Sequence, residues 1–356
     1  MSRQNKLSGT EYLTYQGETY GMSNPKTVRW GVIGTGWFGE VHVETLSDMP
    51  GIVVEAISTR RPERLKEVGD CYNVAKRYTD YHDLLADPAV DVVGVTTHIA
   101  EHRDITIDAL RSGKHVFLEK PMASTVADCD RILDAAREAK GFFMVGHICR
   151  FDPRVVLAKQ AIDEGKIGKI ISMHARRNLS KMIGRQVLDK ISALMGDGIH
   201  DGDLMLWFSG AKPVSVYAQE IHPGTNKYPD GGWAMARLDN GAIAVIESIW
   251  HLPETTPYQI DARMEIIGTE GALYINCGEA GLEIHDTTSN RRPDTLYWPH
   301  LYGKRFGILR SELRYFADCV AEGRHPSRIT PEESRNAVAL LAAADESSRT
   351  GKLITF

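Results

Sequence analysis

The run VRWGVIGTGWFGE (28–40) decides the fold. Its first half is an apolar strand, and Gly34-Thr35-Gly36-Trp37-Phe38-Gly39 after it is GxGxxG at the opening of a helix. In that setting the first glycine permits a tight turn, the second lets backbone approach a pyrophosphate, and the third lets helix and strand pack closely. The helix N-terminus adds N–H donors and positive potential for the phosphates. A glycine-rich turn without a ligand carries the same letters, so the strand-turn-helix context makes the reading one of dinucleotide binding.

Outward from this run, strands are expected at IVVEAIS (52–58), VDVVGVTT (90–97), HVFLEK (115–120) and FFMVGH (142–147). Helices are expected after Trp37 and over 62–68, 99–111 and 124–140. Short β-branched runs separated by amphipathic helices need crossover connections, which predicts an α/β domain, a doubly wound parallel sheet with helices on both faces. After about Phe151 the grammar changes. A strand (169–177) and a helix (197–208) precede strands at 214–221, 233–238, 242–250, 262–268 and 272–276, joined by turns such as DNG (239–241) and TEGA (269–272). That is hairpin chemistry, and it predicts an α+β half around a mainly antiparallel or mixed sheet. Helices over 309–322 and 331–349 close the chain, ended by Gly323 and Gly351.

The chain has 356 residues, 42% hydrophobic and 25% charged, with a formal net charge of -5. That length predicts two folded units, and the balance excludes collagen-like and disordered classes. Lys and Arg are scattered, leaving no footprint for nucleic acid or anionic lipid. No segment reads as a signal peptide or a membrane span. Cys71, Cys129, Cys149, Cys277 and Cys319 lie far apart with no CxxC spacing, which fits a reducing, cytoplasmic setting and gives no structural metal site. Residues 1–26 form a polar tail with Tyr12, Tyr15 and Tyr20, read as a disordered leader or an arm on a neighbouring subunit. The expected division is tail 1–26, dinucleotide-binding domain 27–150 and second domain 151–356.

An NAD site places Asp or Glu at the end of the second strand to bind the ribose 2′-hydroxyl. Ser58-Thr59-Arg60-Arg61 stands there instead. Hydroxyls and guanidinium groups suit a 2′-phosphate, so the choice tilts toward NADP; with Arg60 and Arg61 solvated and Thr59 on a 2′-hydroxyl, NAD would serve. His98-Ile99-Ala100-Glu101-His102 spells the inverted zinc-peptidase pattern HxxEH. His98 directly follows a strand, so it is expected in the loop above the sheet and no metal is expected.

GTGWFG (34–39), TTHIAEH (96–102), GKHVFLEKPM (113–122), GHICRFDP (146–153), GIHDGDLMLW (198–207) and the ending over 322–352 together resemble the glucose-fructose oxidoreductase, inositol dehydrogenase and MocA family. The likeness covers residues 27–356. It implies a Rossmann domain, a C-terminal domain with a large open sheet, NAD or NADP, a sugar, polyol or cyclitol substrate, and homodimers or homotetramers built through that sheet. The family's Glu-Lys-Pro motif falls on Glu119, Lys120 and Pro121, its lysine touching the reacting hydroxyl and the nicotinamide ribose. The family histidine falls on His200, with Asp203 three residues later. Many members place an aspartate four residues before that histidine; here that place is Gly196, and the nearest acid is Asp197. Thr97 and His102 match the loop after the third strand, where His98 replaces the usual proline. The arginine that matches Arg150 borders the nicotinamide, with interdomain salt bridging as the alternative for Arg150 and His147.

Hydride transfer from a secondary alcohol needs one group to take the hydroxyl proton and another to steady the developing alkoxide. Lys120 and His200 are the expected pair, with Asp197 or Asp201 orienting the histidine. His147, Arg176 and Asn178 are expected near the substrate, and Trp233, Trp250 and Tyr258 are candidates for a sugar-stacking wall, although aromatics in alternating strands also fill cores. The resulting reading is an NAD(P)-dependent dehydrogenase or reductase. A glycosidase using NAD transiently and a non-catalytic cofactor-binding sensor are the alternatives.

Overall fold

The computed structural model describes residues 27–182, 184, 189–257, 259–276 and 281–356. The tail with its tyrosines, Tyr258 and Cys277 lie outside the described residues. The first sheet is built from β1 (Val28–Ile33), β2 (Ile52–Ser58), β3 (Lys76–Tyr78), β4 (Val92–Val95), β5 (His115–Glu119) and β6 (Phe143–Gly146). All its pairs are parallel, in the order β3-β2-β1-β4-β5-β6. Every residue of β4 and β6 is buried, as expected of strands covered on both faces. The crossovers are α1 (Trp37–Ser47), α2 (Pro62–Cys71), α3 (Tyr81–Ala86), α4 (Ile99–Arg111) and α5 (Val126–Glu138). Strand order reverses between β1 and β4, and the crevice at such a reversal, beyond the carboxyl ends of the strands, is where open α/β sheets take ligands. Residues from the ends of β1, β2, β4 and β5 therefore converge there.

A 3₁₀ turn (Ile148–Phe151) and α6 (Pro153–Asp163) lead into β7 (Ile170–Ser180). A π turn at Leu194–Gly198 runs directly into α7 (Ile199–Ser209). The strands β8 (Pro213–Ile221), β9 (Gly231–Leu238), β10 (Ile243–Leu252), β11 (Ile260–Gly268) and β12 (Ala272–Asn276) follow. Two short ribbons come next, β13 (Ile284–His285) with β14 (Asn290–Arg291) and β15 (His300–Leu301) with β16 (Lys304–Arg305). The chain closes with α8 (Ile308–Glu322), α9 (Pro331–Thr350) and β17 (Ile354–Thr355). The second sheet is mixed, ordered β12-β11-β7-β10-β9-β8-β17. Only β7 and β10 pair in parallel among these neighbours. Over most of β9 the burial alternates: Ala234, Ala236 and Leu238 are buried while Trp233 and Met235 face outward. The buried face packs on α7 and α9, whose Leu340 and Leu341 are fully enclosed.

One helix crosses back. Phe316 of α8 sits 6.0 Å from the Trp30 ring and 5.9 Å from Phe117, so a late helix completes the core of the first sheet. A single apolar cluster consequently runs through both sheets. Among the described residues no helix is long and apolar enough to cross a membrane.

Candidate active site

The glycine turn is shaped as a phosphate cradle. Gly34 has φ +97, a left-handed conformation that favours glycine. A Cβ on Gly39 would stand 1.8 Å from the Gly34 carbonyl oxygen, so α1 approaches β1 only because that side chain is missing. Around Gly36, by contrast, no atom of the other described residues lies within 4 Å of where a Cβ would be, and no side chain among them caps the first N–H groups of α1. The buried hydroxyls of Thr35 and Thr97 have no hydrogen-bond partner among the described residues. Open space, uncapped donors and unanswered buried hydroxyls on one rim are what a dinucleotide would satisfy. Trp37 is exposed beside the turn and stacks on Phe38, whose ring meets Trp298 from the second half of the chain.

Lys120 leaves the carboxyl end of β5, followed by a cis peptide to Pro121. Its Nζ donates to the Gly196 carbonyl at 2.8 Å and lies 3.5 Å from Oδ1 of Asp197. The same Oδ1 is 3.8 Å from Nε2 of His200, in the first turn of α7. A residue from the first sheet and two from the second half thus meet on one carboxylate. The His200 ring is buried, and burial first, then the nearby Lys120, Arg177 and His147, hold its pKa well below the ordinary imidazole value. Its Nδ1 lacks a partner among the described residues.

Behind these groups lies a shell of buried polar pairs. Glu119 accepts from its own neighbour's backbone N–H at 3.2 Å, and its other oxygen stands 2.9 Å from Nε2 of His42, which fixes the strand end that carries Lys120. The His102 ring meets the carbonyls of Pro121 at 2.8 Å and Thr97 at 3.2 Å, tying the β4 and β5 loops together. His147 is buried, with both ring nitrogens unpartnered among the described residues and Nδ1 3.7 Å from Asp203. Arg150 makes a two-pronged bond to Asp203 at 2.8 and 2.7 Å and a third bond to Glu333 at 3.0 Å. Burial opposes its charge, but Asp203 and Glu333 more than offset that, and its pKa is raised. Arg150 is thus a bridge between halves, turned to Asp203 and Glu333. Arg177 and Asp201 form a second buried two-pronged pair below α7.

Several expected residues already have partners. Arg60 is exposed, and its guanidinium pairs with Glu101; Arg61 is the exposed residue before α2, Ser58 is buried, and the Thr59 N–H donates to Tyr78. Arg176 pairs with Asp261 at 2.9 Å, and Asn178 donates to Glu247 at 2.7 Å while accepting from the Ile249 N–H. Trp250 lies in the core against Leu179 and Ala193, and Trp233 faces outward from the open sheet, so these two make no wall over the site. The HxxEH letters scatter: His98 precedes α4 with Lys190 3.2 Å from its Nε2, Glu101 turns to Arg60, and His102 points down to its two carbonyls. Lys190 and the Gly196 carbonyl escaped the sequence reading, since a backbone oxygen and a lysine in an irregular stretch carry no motif.

A dinucleotide cradle joined to an open mixed sheet, with ionisable groups from both facing the crevice, defines the two-sheet NAD-binding oxidoreductases. Residues 28–147 match the oxidoreductase family with an NAD-binding Rossmann fold, and residues 155–274 match the GFO/IDH/MocA C-terminal domain. The chain belongs to the GFO/IDH/MocA oxidoreductase family. The myo-inositol 2-dehydrogenase of Thermotoga maritima is 31% identical over 332 residues, covering 90% of this chain and 96% of that protein. The inositol 2-dehydrogenase of Salmonella typhimurium is 34% identical over 250 residues, 69% of this chain and 73% of that one. In fold, the chain resembles the scyllo-inositol dehydrogenase of Lactobacillus casei with bound NAD(H) and scyllo-inositol, at TM-score 0.81, 22% identity, and coverage of 93% and 99%.

Proposed function

We propose that this chain is an NAD-dependent dehydrogenase that interconverts a secondary hydroxyl and a ketone on inositol or a related cyclitol, with Lys120, Asp197 and His200 as its catalytic residues. The observation that carries the reading is the meeting of Lys120 Nζ and His200 Nε2 at one Asp197 oxygen, 3.5 and 3.8 Å away. Held by the Gly34–Gly39 turn with Thr35 and Thr97, a bound nicotinamide cofactor would supply the hydride acceptor for the carbinol carbon. Neutral His200 accepts the hydroxyl proton at Nε2, while the Lys120 ammonium donates to the same oxygen as its negative charge grows. Asp197 holds the two at the right separation and stabilises the imidazolium that results. In the ketone-reducing direction the roles reverse. His147 lies close enough to act electrostatically on His200, and we place it at the substrate's edge.

The tilt toward NADP assumed guanidinium groups open to a phosphate. Because Glu101 neutralises Arg60 and would repel a 2′-phosphate, we take NAD as the cofactor. The relatives named for inositol support a cyclitol over an open-chain polyol. We read 27–150 as the cofactor unit and 151–356 as the substrate unit, with α8 lent back to the first sheet, and the outward face of the second sheet as a homodimer or homotetramer contact. The scattered cysteines accord with the cytoplasm.

The test is NADH formation from a panel of inositols and aldoses with NAD and NADP, on the wild type and on Lys120→Ala. The expected result is turnover with inositols and NAD, falling by about 10²–10⁴-fold in Lys120→Ala while NADH still binds. Full residual turnover in the variant would remove Lys120 from the mechanism. A sensor would give no NADH with any compound, and a glycosidase would cleave glycosides without net NADH.

A further inference from the structure

The π turn that presents Asp197 is held from behind. The Ser192 hydroxyl accepts the Met195 N–H at 3.1 Å, the Gly196 N–H donates to the Ser192 carbonyl at 2.8 Å, and Ser248 Oγ donates to the Ala193 carbonyl at 2.9 Å. Ser192 is buried, and its hydroxyl proton goes to the carboxyl group of Asp345 on α9, 3.3 and 3.5 Å from the two oxygens. Asp345 in turn lies beside the carboxyl group of Glu220 of β8, whose backbone N–H donates to the Ser348 hydroxyl oxygen at 3.0 Å. A line of bonds therefore runs from the α9–β8 packing through Ser192 to the Met195 amide. The next residue, Gly196, offers the carbonyl that takes Lys120, and the one after is Asp197.

Two carboxyl groups in hydrogen-bonding contact, largely out of water, share a proton. Burial first, then the neighbouring Asp345, pushes Glu220 up to about 8, and burial lifts Asp345 to about 6. Near neutral pH the pair thus behaves as one bonded unit that can accept from Ser192. None of these three side chains takes part in the chemistry above.

We propose that Asp345 is a positioning residue for this reaction: acting through the Ser192 hydroxyl, it fixes the π turn so that the Gly196 carbonyl and the Asp197 carboxylate both face Lys120. The inference rests on the roles assigned above to Lys120, Asp197 and His200. Asp345 moves no proton to or from substrate. Its effect is on where the turn sits, and near-attack geometry is sensitive to displacements of that kind.

The test compares the wild type, Asp345→Ala, Ser192→Ala, the double variant and Asp345→Asn. Three readouts are taken: kcat and KM with an inositol, NADH affinity by fluorescence, and deuterium uptake of the 192–198 segment. Both alanine variants are expected to lose about 10- to 100-fold in kcat with NADH affinity kept and with faster exchange over 192–198. The double variant should be no worse than either single one. Asp345→Asn, which still accepts from Ser192 and can donate to Glu220, should keep wild-type kcat. Wild-type kcat and a protected turn in Ser192→Ala would overturn the proposal, as would an Asp345→Asn variant as impaired as Asp345→Ala. If Asp345→Ala does not fold, Ser192→Ala and Asp345→Asn decide. If the wild type oxidises no cyclitol, the functional reading fails, and exchange over the turn still decides whether Asp345 holds it.

Discussion

At Gly196 a Cβ would stand 2.5 Å from the Trp250 ring, so the space that a side chain would need there belongs to the indole. The acid of the site is displaced by one residue, and the wider π turn at 194–198 brings Asp197 rather than its neighbour to Lys120 and His200. Gly196→Ala should therefore lower kcat by about 10²-fold through misplacement of Asp197. Trp250→Leu in that background should recover part of the loss in the same steady-state assay, because it opens the volume the methyl group needs. His200 gives a second expectation. Its lowered pKa keeps the imidazole neutral as the pH falls through 6.5, so kcat/KM should stay flat there and lose its base only at lower pH. In the unfolded chain His200, His147 and His102 all take up protons near 6.5, whereas in the folded protein burial lowers the pKa of each. Stability contributed by these histidines is present above that pH and is lost as the pH falls below it. A pH–rate profile with half its activity gone at 6.5 would contradict the burial argument.

At the scale of elements, α8 makes the clearest demand. Phe316 is fully buried against Trp30 and Phe117 of the first sheet, although it follows β7 to β12 of the second sheet in sequence. Phe316→Ala should cost about 3–5 kcal/mol and lower the melting of both halves in one transition by calorimetry. Two separate transitions, with only one shifted, would mean that the halves do not share this core. Elements with strong local patterns were legible from sequence: α4 over 99–111 and β12 over 272–276 fall where apolar periodicity places them, and Gly323 and Gly351 end α8 and α9 in left-handed conformation. The three-residue β3, Lys-Arg-Tyr, has no apolar run and exists because Ala56, Ile57 and Ser58 of β2 offer it a parallel edge. The π turn was equally hidden, since its shape depends on Trp250 and Ser192 packing around small residues. The glycine cradle was legible because each glycine has a steric reason. The partners of Arg150, Arg60 and Arg176 were not, because side-chain pairing across 53, 41 and 85 residues leaves no local pattern.

Across the whole molecule, the outer face of the second sheet stands out. Trp233, Met235, Ile243 and Tyr274 lie on it as exposed apolar groups, and the strand register carries the face on through Val245, His174 and Glu265. A monomer rarely leaves so broad an apolar sheet face in water. If this face is the homo-oligomer contact proposed above, Met235→Glu should shift the protein to monomer in light scattering after gel filtration, and a wild type that runs as a monomer would contradict the proposal. Arg150, Asp203 and Glu333 tie the two halves from inside, which keeps the crevice between them at a fixed width. On the function proposed above, that tie would let Lys120, at the end of β5, and His200, on α7, reach the same substrate oxygen. The most direct measurement is a crystal structure of the protein with NAD and an inositol bound. The account predicts that Lys120 Nζ and His200 Nε2 both lie within hydrogen-bonding distance of one carbinol oxygen, with that carbon's hydrogen directed at the nicotinamide; the two side chains turned into separate pockets would contradict it.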